Sequence, residues 1–597
     1  MSNANPITLK SKFKPWFSSP ISSRRNSSLL IWPKRVSHAR WQNLLKSCSW
    51  FLGKSKKYDR SSKRSIKWKT SHEGSFPPKE ASEIKPEIER KPLLGLINEL
   101  TQEENEKVPL ELITILKLFL QRKNISQDIE ETIPDRRNQE LITYSKQSIM
   151  MSALSIFLLR MASGNKYDDK FHDKDKYSRA NIAKFIDAPE DRAPVIKTIE
   201  TFLKNLEENS INNLMISFFK NLMRSKFFKQ HPQIKPEDFF TLAADCVHTH
   251  TYSHPHYTDE HGNNACDCCL KRVYNKGTED EKIRWLHSTL VLCFVFMGGL
   301  KIPIYRYPIH AKQIVHLESA SEENHKQECE LIALKITLPI IREAFPKMKI
   351  CLLLDGLYAN RPVIRLLEAY RYDYIIVRKE GSLRSLAEDC DGQAKLSNHR
   401  KNCVKKMRSS DLVSVIEQEY EWFNSVDIAN DPQEFLTTNV LRFSETRTKD
   451  GEIKSYKGEW LFSWRLSAKT CESSVRHARI RWEEEDLFNT LKNRGFNLGH
   501  DYSRNPRSCF NWQGLAFFAF GIFELFRFSE VVRQRCDLPQ ITLAEKLQGQ
   551  LLYRPTEELF STRHLKVRIQ FRYNFSDRST EKSKTRKNRP QEALETG

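Results

Sequence analysis

The 597-residue chain reads as an α/β protein: a mixed sheet flanked by helices with a mostly β insertion, preceded by an all-helical domain and a basic, largely disordered arm. Three observations predict this. Strands in hairpin-like succession give way to alternating strand and helix between residues 235 and 381, which implies a mixed sheet covered by helices. Apolar residues recur at three- and four-residue steps from Leu93 to about Phe228, the helical period. Of the formal net charge of +22, +16 lies in residues 1–70, where 17 Lys and Arg face the single acid Asp59, so the rest of the chain carries only +6. Such asymmetry predicts an arm for a polyanion joined to a body of ordinary charge.

The arm comes first. Residues 1–92 are rich in Ser, Lys, Arg and Pro, with short apolar islands such as Leu29–Trp32 and Trp41–Leu45, a composition that predicts mostly disorder with one helix near 36–52. Trp16, Trp32, Trp41, Trp50 and Trp68 punctuate its basic residues, a mixture suited to nucleic acid. Residues 93–230 follow as the helical domain, with ITILKLFLQRK, IMMSALSIFLLRMA and INNLMISFFKNLMRSKFF as its helices. FFTLAADCVHTHTY, STLVLCFVFMGGL and KIPIYRYPI then read as three strands, the last two joined at Gly298-Gly299. A helix over Glu322–Ala344, the strand KICLLLD, a helix over Arg361–Tyr370 and the strand DYIIVRK complete the alternation. Residues 382–470 lose it. Their basic stretch (Lys401, Lys405, Lys406, Arg408) and β-like runs predict a β-rich insertion. Helices over Ser474–Arg494 and Trp512–Arg535 return, so the central domain is discontinuous, 235–381 with 471–535, and residues 536–597 form an extension with a basic polar tail.

Composition excludes several classes. Nineteen glycines rule out collagen-like and glycine-linker architectures. Thirteen scattered cysteines, an odd count, fit a reducing cytosol better than a disulfide framework. The N-terminus lacks the apolar core of a signal peptide, and the runs Thr289–Leu300 and Gly514–Phe523 fall short of the roughly 20 residues that span a bilayer. A cytoplasmic protein with no membrane partner is expected.

Three carboxylates stand out. Asp245 in LAADCV and Asp355 in CLLLDGLYAN each end an apolar strand, where a carboxylate points into the crevice at the sheet's edge or merely caps the next turn. Glu485 lies in RIRWEEEDLFNTLKNRGFNLGH with Arg481 at i−4 and Lys492 at i+7, spacings that put all three on one helix face. Strand Asp, strand Asp and helix Glu around one sheet can converge on a pair of Mg²⁺ (or Mn²⁺) ions, hard cations that take oxygen ligands and clamp a phosphodiester. Arg481 and Lys492 would then hold phosphates of the flanking strand.

On these residues the chain resembles the DDE transposases of bacterial insertion sequences, in the group with a Tyr-Arg-Glu-Lys signature. The likeness rests on Asp245 in AADCV, HKQECE (His325–Glu330), LLLDGLYANRPVIRLL and RWEEEDLFNTLKNRGFNLGH, and covers about residues 235–530. Asp245, Asp355 and Glu485 match the acidic triad, Arg481 the Arg four residues before the Glu and Lys492 the Lys seven after it. Ala478 stands where the signature has Tyr, and Gly499 precedes His500 where many relatives have an acid. The resemblance implies an RNase H-like catalytic domain carrying the β insertion; the helical domain, 93–230, is expected to be the DNA-binding domain. It also implies Mg²⁺-dependent cleavage at element ends and strand transfer into target DNA. The expected partners are double-stranded DNA, as terminal repeats and as target, and a second copy in a homodimeric synaptic complex at the nucleoid. A metal-dependent nuclease of the same fold without strand transfer, and an inactive DNA-binding relative, share the same residues.

A second cluster lies between Asp245 and Lys271: His248, His250, His254, His256, His261, Cys266, Cys268 and Cys269. His and Cys suit Zn²⁺. The Cys-x-Cys-Cys run lacks the two-residue gap of a zinc ribbon, which makes zinc the weaker expectation, with His248 and His250 as alternative groups lining the acids.

The charge asymmetry predicts that deleting residues 1–70 weakens non-specific DNA binding and flattens its dependence on salt. The log–log slope should fall by roughly 0.9 for each phosphate that the arm neutralises in the intact protein. Fluorescence anisotropy across a salt series measures both. Unchanged affinity and slope would contradict the arm's assignment.

Overall fold

A mixed sheet organises the computed structural model, which describes residues 110–575 apart from 173–175, 190–191, 311–321, 397–401, 409–414, 429–435 and 450. The basic arm, the start of the helical region at 93–109 and the basic tail beyond 575 lie outside the described residues, as does Lys401. The strands are β1 (Phe240–Tyr252), β2 (Leu270–Tyr274), β3 (Lys282–Val295), β4 (Lys301–Pro308), β5 (Ile350–Leu354), β6 (Asp373–Val377), β7 (Asn402–Arg408), β8 (Val415–Asp427), β9 (Thr437–Lys449) and β10 (Glu452–Phe462). They run in the order β2-β3-β1-β5-β6-β10-β9-β8-β7, with β4 also on β3. β1, β5 and β6 are parallel, and all other pairings are antiparallel.

The parallel centre explains its own sequence. All five residues of β5, ICLLL, are buried, as a parallel strand covered on both faces requires. Gly298 and Gly299 both adopt positive φ, 79° and 81°, and turn β3 into β4, a conformation that side chains with a Cβ rarely tolerate. The expected succession of three strands proves interrupted, because the His/Cys segment contributes β2, a short strand pairing Leu270–Tyr274 with Lys282–Leu286 of β3. The residues 382–470 differ as well. They open with a helix, and their strands extend the main sheet, since Trp460–Phe462 of β10 pair with Ile375–Val377 of β6.

Ahead of the sheet lie α1 (Leu112–Arg122), α2 (Ile125–Thr132), α3 (Lys146–Leu158), α4 (Gly164–His172), α5 (Lys176–Phe185), α6 (Ile196–Asn205), α7 (Ser210–Arg224) and the short α8 (Phe227–Gln230). Within the sheet region come α9 (Glu322–Ala344), α10 (Arg361–Ala369) and α11 (Arg384–Lys395). After it follow α12 (Cys471–Arg479), α13 (Trp482–Asn493), α14 (Pro506–Phe528), α15 (Glu530–Arg535), α16 (Gln540–Tyr553), α17 (Thr556–Phe560) and α18 (Thr562–Leu565). The single helix expected over Ser474–Arg494 is therefore two, broken at Ile480–Arg481.

One apolar core runs from α1 through the sheet to α16. Its axis is α14, started by Asn505, whose side chain accepts from Ser508 N, and apolar on every side. By length and composition α14 could cross a membrane, longer than the run expected from sequence, but it is buried along its whole window against α3, α6, α7 and β4. Its buried Glu524 is met by Arg527 at 2.6 and 2.7 Å.

α14 also grips β4. Arg306 of β4 is fully buried with its guanidinium 3.4 Å from the Phe510 ring centre, and a Cβ at Gly514 would stand 2.4 Å from Arg306 Nη2. Gly514→Ala should therefore destabilise the protein by about 1–3 kcal/mol, the usual range for overpacking. Urea unfolding would show it; an unchanged midpoint would contradict this close approach.

Candidate active site

Four residues of parallel pairing place the first two acids. Phe240–Ala243 of β1 pair in register with Ile350–Leu353 of β5, so Asp245 and Asp355 stand two residues beyond the last pair, at equivalent positions of adjacent strands. Side chains alternate along a strand, so the two carboxylates lie on one face. Asp245 is not at a strand end, as the sequence suggested. β1 continues to Tyr252 along β3, and only its pairing with β5 stops before Asp245.

The third acid arrives on α13, which packs across β1, β3 and β4. Its first turn holds Glu483, Glu484 and Glu485, favoured by the positive end of the helix dipole, and its last turn holds Lys492. Each neighbouring acid has its own task. Glu483 and Asp486 both bind Lys301 Nζ of β4 at 2.7 Å, and that lysine is buried. Glu484 points inward and is fully buried, neither of its oxygens hydrogen-bonded among the described residues. Glu485 remains, half-exposed, beside Asp245.

Arg481 joins these two. Its Nη2 is 2.7 Å from Glu485 Oε1 and its Nη1 3.5 Å from Asp245 Oδ2, with only 12% of its side chain exposed. It occupies the N-cap position of α13, before the helix body, so the break between α12 and α13 is what turns it towards β1. Asp245 Oδ1 accepts from Cys246 N at 2.7 Å. Burial, together with the charges of Asp355 and Glu485, raises the Asp245 carboxyl above the ordinary range, against the opposing pull of that hydrogen bond and of Arg481. The three predicted acids thus share one electrostatic neighbourhood.

Asp355 acts as the cap that the sequence also allowed, accepting from Leu357 N at 2.9 Å, and keeps Oδ2 at 3.2 Å from Lys379 Nζ. Lys379 is a basic neighbour that sequence reasoning missed. Its signal was its place as the last residue of the run DYIIVRK, two residues past β6, which lies beside β5 in the sheet. Gly356 makes room for it, since a Cβ there would meet Lys379 Cγ at 2.5 Å. Lys492 lies two turns beyond Glu485, exposed, with no ion pair to the acids among the described residues; burial of part of its length lowers its ammonium from the ordinary value. Ala478 of α12 helps line an open cleft of about 720 Å³ over β6, β8, β9 and β10, with Arg481 and the exposed Trp482 among its other lining residues.

The second cluster divides. His248 Nδ1 pairs with Ser288 Oγ at 2.6 Å, and His250 with His500 O at 2.9 Å and Gln513 at 3.1 Å, whereas the ligand atoms gathered at Cys266 among the described residues are those of His256 and His287. Burial lowers His250 to about 4. Cys268 Sγ faces His310 Nδ1 at 3.8 Å. Cys266 and Cys269 face His287, which the sequence reading left out because it lies on β3, 18 residues along the chain from Cys269.

No family model matches the chain, and no curated protein matches it. Among solved structures it is similar to a piggyBac transposase in a synaptic complex with hairpin DNA, at 11% identity over 82% of this chain and 87% of that one. The TM-score is 0.31, a superposition too loose to argue from.

Glu484 gives the site a pH signature. Burial and the charges of Asp245 and Glu485 hold its carboxyl well above the ordinary value, outweighing Arg481. Folded Glu484 is protonated where the unfolded chain is ionised, so its contribution is full below the unfolded value of about 4.3 and is lost as pH rises. Glu484→Gln should gain stability relative to wild type as pH rises above about 4.3 in denaturant unfolding. A difference independent of pH would contradict a neutral Glu484.

Proposed function

We propose that this chain is a DDE transposase of the bacterial insertion-sequence type, cleaving DNA at element ends and joining the 3′ ends to target DNA. The observation that carries this reading is the approach of Asp355 and Glu485 to Asp245, from two adjacent parallel strands and one helix, with Arg481 pairing Asp245 and Glu485. The central sheet that holds them is proposed to be RNase H-like, with residues 382–470 as its β-rich insertion.

The donor set fits Mg²⁺ or Mn²⁺. Three carboxylates supply hard oxygen ligands; burial first, and the charges of Asp355 and Glu485 second, raise Asp245, and a divalent cation would offset both. Bound there, the metal would polarise the scissile phosphate and activate water or a 3′-hydroxyl. The protein's own residues do the rest. β1 and β5 fix two carboxylates on a buried, rigid frame, and α13 presents the third. Arg481 and Lys379, which neutralise the acids in the free protein, offer positive charge to the phosphates of a DNA strand laid across them. Lys492 adds a more distant phosphate contact. Double-stranded DNA is the proposed partner, with a homodimer forming the synaptic complex at the nucleoid.

The test supplies the full chain with its own element ends, a target plasmid and Mg²⁺. Strand-transfer products are expected, and Asp355→Asn or Glu485→Gln should lower their yield by about 10²-fold or more, the scale of losing a group that stabilises the transition state. Cleavage without joining would replace the proposal with a nuclease. Products undiminished in Asp355→Asn would overturn both.

A further inference from the structure

We propose that His256, Cys266, Cys269 and His287 form a structural zinc centre, separate from the acidic site and independent of the function assigned to it. All four come together at one end of the sheet. Cys266 Sγ lies 3.4 Å from His287 Nε2 and 4.0 Å from His256 Nδ1, and Cys269 Sγ lies 3.1 Å from His287 Nε2. The ligand atoms of His256, Cys266 and His287 all fall within 4.8 Å of one another. Zn–S bonds near 2.3 Å and Zn–N bonds near 2.0–2.1 Å set ligand atoms roughly 3.3–3.8 Å apart in a tetrahedron, close to these separations. Cys266, Cys269 and His287 are buried at 2%, 1% and 6% exposure, and the cysteines are free thiols.

The backbone prearranges the set. His256 and Cys266 flank a small hairpin pinned by the bridge Thr258↔Asn264 and by Ala265 N donating to Tyr257 O at 2.9 Å. Cys269 N donates to Cys266 O at 3.2 Å, closing a tight turn between the two thiols. Cys266 and Cys269 are separated by two residues, the gap of a zinc knuckle, which the intervening Cys268 hides in the sequence. His287 is delivered by β3. The other nitrogen of His256, Nε2, faces Asp501 Oδ1 at 3.7 Å and Ser503 O at 3.3 Å. A carboxylate behind a ligating imidazole is the usual device that fixes its tautomer and raises its basicity. Four protein ligands leave no open position, so the metal holds structure and does no chemistry. It would tie the loop after β1 to β3 and, through Asp501, to the stretch that follows α13.

The test is metal content of the full chain purified without added metal. About one zinc per chain is expected, falling at least about tenfold in Cys266→Ser or Cys269→Ser and unchanged in Cys268→Ser, as loss of a ligand rather than a neighbour requires. Should the serine variants not fold, wild-type protein reconstituted with Co²⁺ decides. Tetrahedral d–d bands with a thiolate charge-transfer band support the centre. A zinc-free wild type, zinc retained in Cys266→Ser, or an octahedral cobalt spectrum without the thiolate band would overturn it, leaving only a thiol–imidazole hydrogen-bond cluster.

Discussion

Parallel pairing between Phe240–Ala243 and Ile350–Leu353 is the constraint from which the site is built. From Thr241 and from Ile350 onward both strands are buried, so a slip of one residue would mismatch side-chain volumes across the close-packed core and put Asp245 and Asp355 on opposite faces. The register that the core enforces is the register that sets Asp245 beside Asp355. Bringing a third carboxylate to the same place is costly, since two like charges about 4 Å apart repel by roughly 4 kcal/mol at an effective dielectric of 20. The fold offsets that cost with Arg481 between Asp245 and Glu485 and Lys379 against Asp355.

What holds α13 against this repulsion is the far side of the same helix. Lys301 on β4 binds Glu483 and Asp486 together, and Leu487 and Leu491 are buried beneath them. β4 in turn is gripped by α14, through Arg306 stacked on Phe510 in the space that Gly514 leaves open. The chain of support runs from the central buried helix, through an edge of the sheet, to the helix that presents Glu485. Four consecutive acids so close in sequence are separated in function by geometry alone: two are riveted to a lysine, one is sunk in the core and one pairs with Arg481 beside Asp245.

Much of this was legible in the sequence. CLLLDG reads directly as a buried parallel strand ending in an acid, the Gly298-Gly299 turn follows from backbone freedom, and the helix over Glu322–Ala344 has the bounds its periodicity gives. The four-residue spacing of Arg481 and Glu485 puts them side by side, and the structure pairs them at 2.7 Å. The rest depends on contacts distant in sequence. The break at Ile480–Arg481 falls in a stretch without Gly or Pro, so no local signal marks it. Lys379 belongs to the site only because β6 lies beside β5, and His287 meets the cysteines only because β2 folds back on β3. Cys268 disguised the spacing of its neighbours, whereas the pairing partners of His248 and His250 lie elsewhere in the chain and left no local trace.

Asp245, Asp355 and Glu485 are proposed to hold one divalent metal site. Its most direct test places Fe²⁺ there in the intact protein and maps backbone cleavage by the hydroxyl radicals it generates with peroxide and ascorbate. Cuts clustered near all three residues, and suppressed together by excess Mg²⁺, are the predicted result. Cuts confined to one of them, or insensitive to Mg²⁺, would contradict the shared site.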